Sequence, residues 1–129
     1  MLVALHVLVA YLLVYAPKYL VTLALMAAKD YDNRHPRDQQ ARLEGWKKRA
    51  VAAHQNGFES FAGFAAAAII AHLAKVDPFW QNTLSITYLV SRGLYPVAYI
   101  GDVHWARSTV WTVSLFCTGG LLIFAFLAH

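Results

Sequence analysis

The stretch STVWTVSLFCTGGLLIFAFLA, residues 108–128, contains no charged side chain. Wound as an α-helix at about 1.5 Å per residue, a run of this length matches the roughly 30 Å hydrocarbon core of a bilayer. Its composition is that of a segment whose solvent is lipid. Working outward from it, residues 2–28 form a second long apolar run, interrupted by Pro17 and Lys18. Residues 49–74 and 79–101 are also largely apolar but carry scattered polar groups. The pattern predicts an all-α integral membrane protein, a four-helix bundle with spans at about 2–28, 49–74, 79–101 and 108–128. The chain reads as one domain.

Composition agrees. Of 129 residues, 59% are apolar or aromatic and only 14% are charged, with a mean hydropathy of +0.44. A soluble chain this short has room for one modest core, and these apolar residues exceed it. The first run resembles a secretion signal only superficially. It has no basic leading segment, and it is longer than the usual 7–15 apolar residues, so a retained helix is expected. Pro17 is expected to kink it. Lys18 is a costly residue inside a span, and the sequence names no partner for it.

The net charge is +4. The charges collect in KDYDNRHPRDQQARLEGWKK, residues 29–48, and do not form a phosphate-binding face, which argues against a nucleic-acid partner. This segment is too polar to span; it reads as a loop, extended near Pro36 and helical again towards Trp46. The positive-inside rule puts loop 29–48 and the connection 102–107 on the cytoplasmic side, with both termini outside. Trp46, Trp80, Trp105 and Trp111 fall near the expected span ends, as interfacial tryptophans do. Cys117 is the single cysteine, so no intrachain disulfide can form, and it reads as a small packing residue.

Ionisable and polar residues inside lipid are candidate functional groups by default. Arg49, Asn56 and Glu59 are spaced by seven and three, so they share one face of the second span; Arg92, Tyr95 and Tyr99 share a face of the third. Glu59 and Arg92 lie at similar depth and are expected to neutralise each other, because an unpaired charge there costs several kcal/mol. Arg107 stands at the mouth of the fourth span. A cavity lined by Arg49, Arg92, Arg107, Asn56, Tyr95 and Tyr99 suits a polar anionic ligand, since arginine pairs with carboxylates through two parallel hydrogen bonds. The six histidines include no pair three or four residues apart, so no metal site is expected. No phosphate loop, HExxH or nucleophile-elbow motif is present.

The stretch from Arg49 to Glu59, with its His54-x-Asn56-x-x-Glu59 core, resembles the second-helix pattern of the MAPEG family, membrane-associated proteins in eicosanoid and glutathione metabolism. Tyr31-Asp32-Asn33-Arg34 and Gly45-Trp46 resemble the loop of its bacterial members. Arg92-x-x-Tyr95-x-x-x-Tyr99 and Arg107-Ser108 with Trp111 resemble patterns of the third and fourth helices. The resemblance implies a homotrimer in an inner membrane, with glutathione bound between subunits near the cytoplasmic face. It implies a transferase or peroxidase acting on lipophilic electrophiles. Arg107 matches the arginine that stabilises the glutathione thiolate; Asn56, Glu59, Arg92, Tyr95 and Tyr99 match positions that bind glutathione or brace the site. Two positions depart from some family enzymes: Ala52 stands where they have arginine, with Arg49 one turn earlier, and Trp111 stands where some have tyrosine. A non-catalytic scaffold or lipid-binding protein of the same fold is the alternative, and a small transporter is a third reading.

Overall fold

The structure, a computed structural model, describes residues 2–128. It is all-α: α1 (Leu2–Ala27), α2 (Pro36–Ala41), α3 (Gly45–Leu73), α4 (Pro78–Ile100) and α5 (His104–Leu127), with no strand among the described residues. The described residues thus form five helices and not four. The additional one, α2, begins where extended chain was expected. Pro36 occupies its first position, where the missing N–H has no intrahelical partner to lose and the fixed φ already suits a helix. Two further boundaries shift: α3 starts at Gly45 and α5 at His104, so Arg107 lies one turn inside its helix.

By length and composition, α1 and α5 are each able to cross a membrane; α3 and α4 carry more polar residues. The molecular surface is that of a membrane protein. Leu73, Phe116 and Phe126 are 74%, 73% and 81% exposed, whereas His54, Gln81, Arg92 and Ser114 are buried. Large apolar side chains point outwards along α1, α4 and α5. In water, each would forgo about 1.5–3 kcal/mol of burial; against acyl chains it forgoes nothing.

α3 is the organising helix and contacts all four others. Its small residues Ala67, Ala68 and Ala71 are fully buried against Ala10 of α1, Tyr88 of α4 and Cys117, Leu121 and Ala125 of α5. Small side chains let backbones approach, which is what drives helix association where lipid is as apolar as the interface. Phe64 and Tyr88 stack with ring centroids 3.8 Å apart and planes 4° from parallel. A second cluster joins Val21 and Leu25 to Ala50 and Val51 near the loop end.

The α1–α3 contact depends on Pro17. Proline gives no N–H to the carbonyl of Leu13 and crowds it, loosening that turn. The neighbouring Val14 carbonyl receives a hydrogen bond from across the interface, at 2.6 Å from His54 Nδ1. Beside it, a Cβ on Gly57 would lie 3.4 Å from Val14 Cα, so the two helices touch through a position with no side chain.

Three of the long helices end alike. After α1, α3 and α4 the chain turns through a left-handed residue, Lys29, Lys75 and Asp102 respectively. In each case the next amide reaches back five residues, Asp30 to Leu25, Val76 to Ala71 and Val103 to Ala98. This is the Schellman ending, normally built on glycine. The start of α4 is capped by Asp77, which accepts from the Phe79 amide at 2.9 Å ahead of Pro78. In the polar loop, Asp32 accepts from the amides of Arg34 and His35 at 2.8 and 3.1 Å. Those two amides hold its carboxyl below its ordinary pKa of 3.8.

Two predictions follow from these contacts. Gly57→Ala should change stability by no more than about 1 kcal/mol, whereas Gly57→Leu should separate α1 from α3 and lower the unfolding midpoint in a detergent titration by several times that margin. Because the Asp32 carboxyl is more acidic folded than unfolded, the order it gives the loop is present above pH 4 and lost as pH falls through the folded value. Hydrogen exchange of the Arg34 and His35 amides should accelerate over that window, and Asp32→Ala should abolish the pH dependence.

Candidate functional site

α3 and α4 place their polar faces against each other, with the start of α5 closing one end. Arg92 is the centre. It is 6% exposed, and its Nη2 donates to Asn56 Oδ1 at 3.0 Å. Asn56 in turn donates from Nδ2 to Glu59 Oε2 at 3.3 Å, one turn along α3. The guanidinium carbon of Arg92 stands 4.3 Å from the Tyr95 ring centroid. Tyr95 meets Tyr99 edge to face at 5.6 Å, and Arg107 lies over the Tyr99 ring at 4.7 Å. Glu59, Asn56, Arg92, Tyr95, Tyr99 and Arg107 therefore form one unbroken ladder from α3 through α4 to α5. A cation over an aromatic face gains about 0.5–2 kcal/mol, more when desolvated, so each arginine is held without being neutralised.

The expected direct ion pair between Glu59 and Arg92 is not formed. The only ion pair among the described residues joins His35 and Asp32 at 3.5 Å, in the loop. The reason is register. Asn56 precedes Glu59 by one turn on the same face, and its amide fills the space between the two charges, accepting from one and donating to the other. One consequence is chemical: Arg92 Nη1 is buried with no protein partner. It borders a small void of about 10 Å³ lined also by Tyr88, Tyr95 and Gly57.

Arg49 does not join the ladder. Its Nε and Nη2 both donate to the carbonyl of Ile100, at 3.1 and 2.9 Å. Ile100 is the last residue of α4, where carbonyls lack intrahelical partners and the helix dipole is negative. Arg49 thus caps a neighbouring helix and stands apart from the other residues expected to line the site. Two residues of the site were not singled out from the sequence. Tyr88 lies four residues before Arg92 and continues the face of Tyr95 and Tyr99; its Oη shares a hydrogen bond with Ser60 Oγ at 3.0 Å. The spacing 88, 92, 95, 99 carried that signal.

On the α5 side, Asn56, Glu59 and Ser60 open into a groove of about 230 Å³ bounded by Trp111, Ser114 and Thr118. It gives the polar ladder an adjoining, mostly apolar annex. Among the described residues no group of histidine, cysteine and acidic side chains is arranged to hold a metal.

A family model described as MAPEG family matches residues 1–127. The chain belongs to the MAPEG family. That family includes glutathione-dependent transferases and peroxidases, and membership accords with the lipid-facing surface of this MAPEG protein. No curated protein and no solved structure matches the chain.

The ladder predicts a specific energetic dependence. Asn56→Leu removes the only protein acceptor of Arg92 while keeping the side chain's bulk. It should cost about 1–3 kcal/mol, the penalty of a stranded buried donor. Asn56→Asp, which retains an acceptor, should recover most of that. Detergent unfolding of the purified protein distinguishes the two.

Proposed function

We propose that this MAPEG protein is a glutathione-dependent membrane transferase or peroxidase acting on lipophilic electrophiles. The supporting observation is the pair of unneutralised guanidinium groups, Arg92 and Arg107, aligned on the Tyr95–Tyr99 step beside an apolar groove. Glutathione supplies a thiol nucleophile and two carboxylates. The donor set fits: Arg92 donates only to a neutral amide, and Arg107 is half-buried at the open end, its charge not consumed by a carboxylate.

In this reading Arg92 and Asn56 hold a carboxylate or peptide group of the tripeptide, with Glu59 available to its amino group. Tyr95 and Tyr99 orient it. Arg107 brings positive charge beside the sulfur. A free thiol titrates near pH 8.5, so only a few per cent is thiolate at pH 7; a cation alongside lowers that value by one or more units. The groove between α3 and α5 takes the apolar electrophile, delivered from the bilayer, and Trp111 lines it without offering a hydroxyl.

Glu59 and Trp111 are exposed on a single chain, so the site lies at an open flank. A second copy covering that flank would exclude water from it, which supports assembly as a homotrimer with the site between subunits. We place the four long helices across the bacterial inner membrane, with loop 29–48 cytoplasmic and the termini outside. Ala52, where some family enzymes carry arginine, favours the alternative of a binding or scaffold protein; ligand binding with no turnover across an electrophile panel would establish that reading.

Arg107→Ala should reduce conjugation or hydroperoxide turnover by about 100-fold, the scale of losing one preorganised stabilising group, and shift the rising limb of the rate profile to higher pH. Arg107→Lys should restore part of both. Full activity in Arg107→Ala removes the proposed role.

A further inference from the structure

Two of the long helices carry a proline inside them, Pro17 in α1 and Pro96 in α4. Each removes the N–H that the carbonyl four residues earlier would accept. Those carbonyls belong to Leu13 and Arg92. The fold brings the two defects together: Leu13, Pro17, Arg92 and Pro96 all line the small void between α1, α3 and α4. In an α-helix a carbonyl points along the axis towards the residue four further on. The wall from Leu13 to Pro17 and the wall from Arg92 to Pro96 therefore each include an oxygen that its own helix leaves without a donor.

The same void has a donor. Arg92 is buried, its Nη2 is spent on Asn56, and its Nη1 meets no acceptor among the described residues. On the α3 side Ala53 and Gly57 line the space and are too short to fill it. No acid and no second cation faces it. The void measures about 10 Å³, close to the roughly 10–15 Å³ that one water molecule needs and too small for anything larger.

We propose that this void is a binding site for a single water molecule that bridges α1 and α4. The water donates its two hydrogens to the carbonyl oxygens of Leu13 and Arg92 and accepts from Arg92 Nη1. Three hydrogen bonds are the usual complement of a buried water. The guanidinium repels a small metal cation from this position, and the two carbonyls repel an anion. Among the described residues no side-chain hydrogen bond joins α1 directly to α4, so the water supplies the polar link between them. All its partners are dipoles or the guanidinium itself, so Arg92 is held at both nitrogens and keeps its charge. The proposal does not rest on the glutathione reading, because Leu13, Pro17 and Pro96 lie outside the ladder and no thiol enters the test.

The first test is a crystal structure of the purified full chain, grown from lipid, at a resolution that shows ordered water. One peak should lie about 2.7–3.2 Å from each of Leu13 O, Arg92 O and Arg92 Nη1. Well-ordered surroundings with no peak, or a peak that touches Arg92 Nη1 alone, overturn the proposal. The second test is a cycle of Pro17→Ala and Pro96→Ala, read as the unfolding equilibrium constant in a detergent titration. Alanine at either position restores an intrahelical donor and takes one partner from the water, which loosens its hold on the remaining two. The first substitution therefore carries a cost that the second does not. Pro96→Ala should favour the folded state about tenfold more in the Pro17→Ala background than in the unaltered protein, the scale of one buried hydrogen bond. Pro36→Ala, in α2 and away from the void, should combine with Pro17→Ala additively. Effects of the two helix prolines that add within about twofold, or equal coupling in the control pair, overturn the bridge.

Discussion

The structure depends on keeping one guanidinium charged inside a bundle whose outer surface faces lipid. Arg92 is nearly inaccessible, and leaving such a group without partners would cost several kcal/mol. The solution is distributed. An amide accepts one hydrogen bond, a phenol ring faces the cation, and a carboxylate stands one hydrogen bond further off. No single contact discharges it. The same residues that make the charge tolerable also leave part of its donor capacity unengaged, so fold and candidate chemistry share one device.

Around that centre, packing is economical. α3 supplies alanines where neighbours must come close and its polar face where α4 must be held in register. Pro17 loosens a turn of α1, and His54 takes up the nearby carbonyl of Val14, so a helix-breaking residue becomes a cross-helix bond. Backbone groups at the other helix ends are met in kind: Arg49 serves Ile100, and Asp77 serves Phe79.

Much of this was legible in the sequence, and the parts that were not share a cause. An uncharged run of lipid-spanning length fixes helical class and solvent, because only one period and one length satisfy it. The 92, 95, 99 spacing fixes a face for the same reason. Periodicity states which side of a helix a residue occupies, but not how far its side chain reaches or what already stands there. Arg49 shares a face with Asn56 and Glu59, yet its reach brings it to the end of α4. Glu59 and Arg92 are at matching depths, yet Asn56 lies between them. Proline suggests extended chain near 36, yet at the first helical position it starts a helix. A tyrosine at 88 in a long apolar run looks like packing, and its hydroxyl partner on α3 is visible only in three dimensions.

The polar cross-links between helices have a direction in time. In each, one member lies earlier in the chain: Val14 before His54, Arg49 before Ile100, Asn56 before Arg92, Ser60 before Tyr88. A chain made from its N-terminus completes α3 before α4 exists. When α4 follows, the acceptor for its buried arginine is already in place. The order of synthesis thus gives that cation a partner as soon as its helix forms, and a circular permutation that made α4 first would lose that order while keeping every contact of the finished fold.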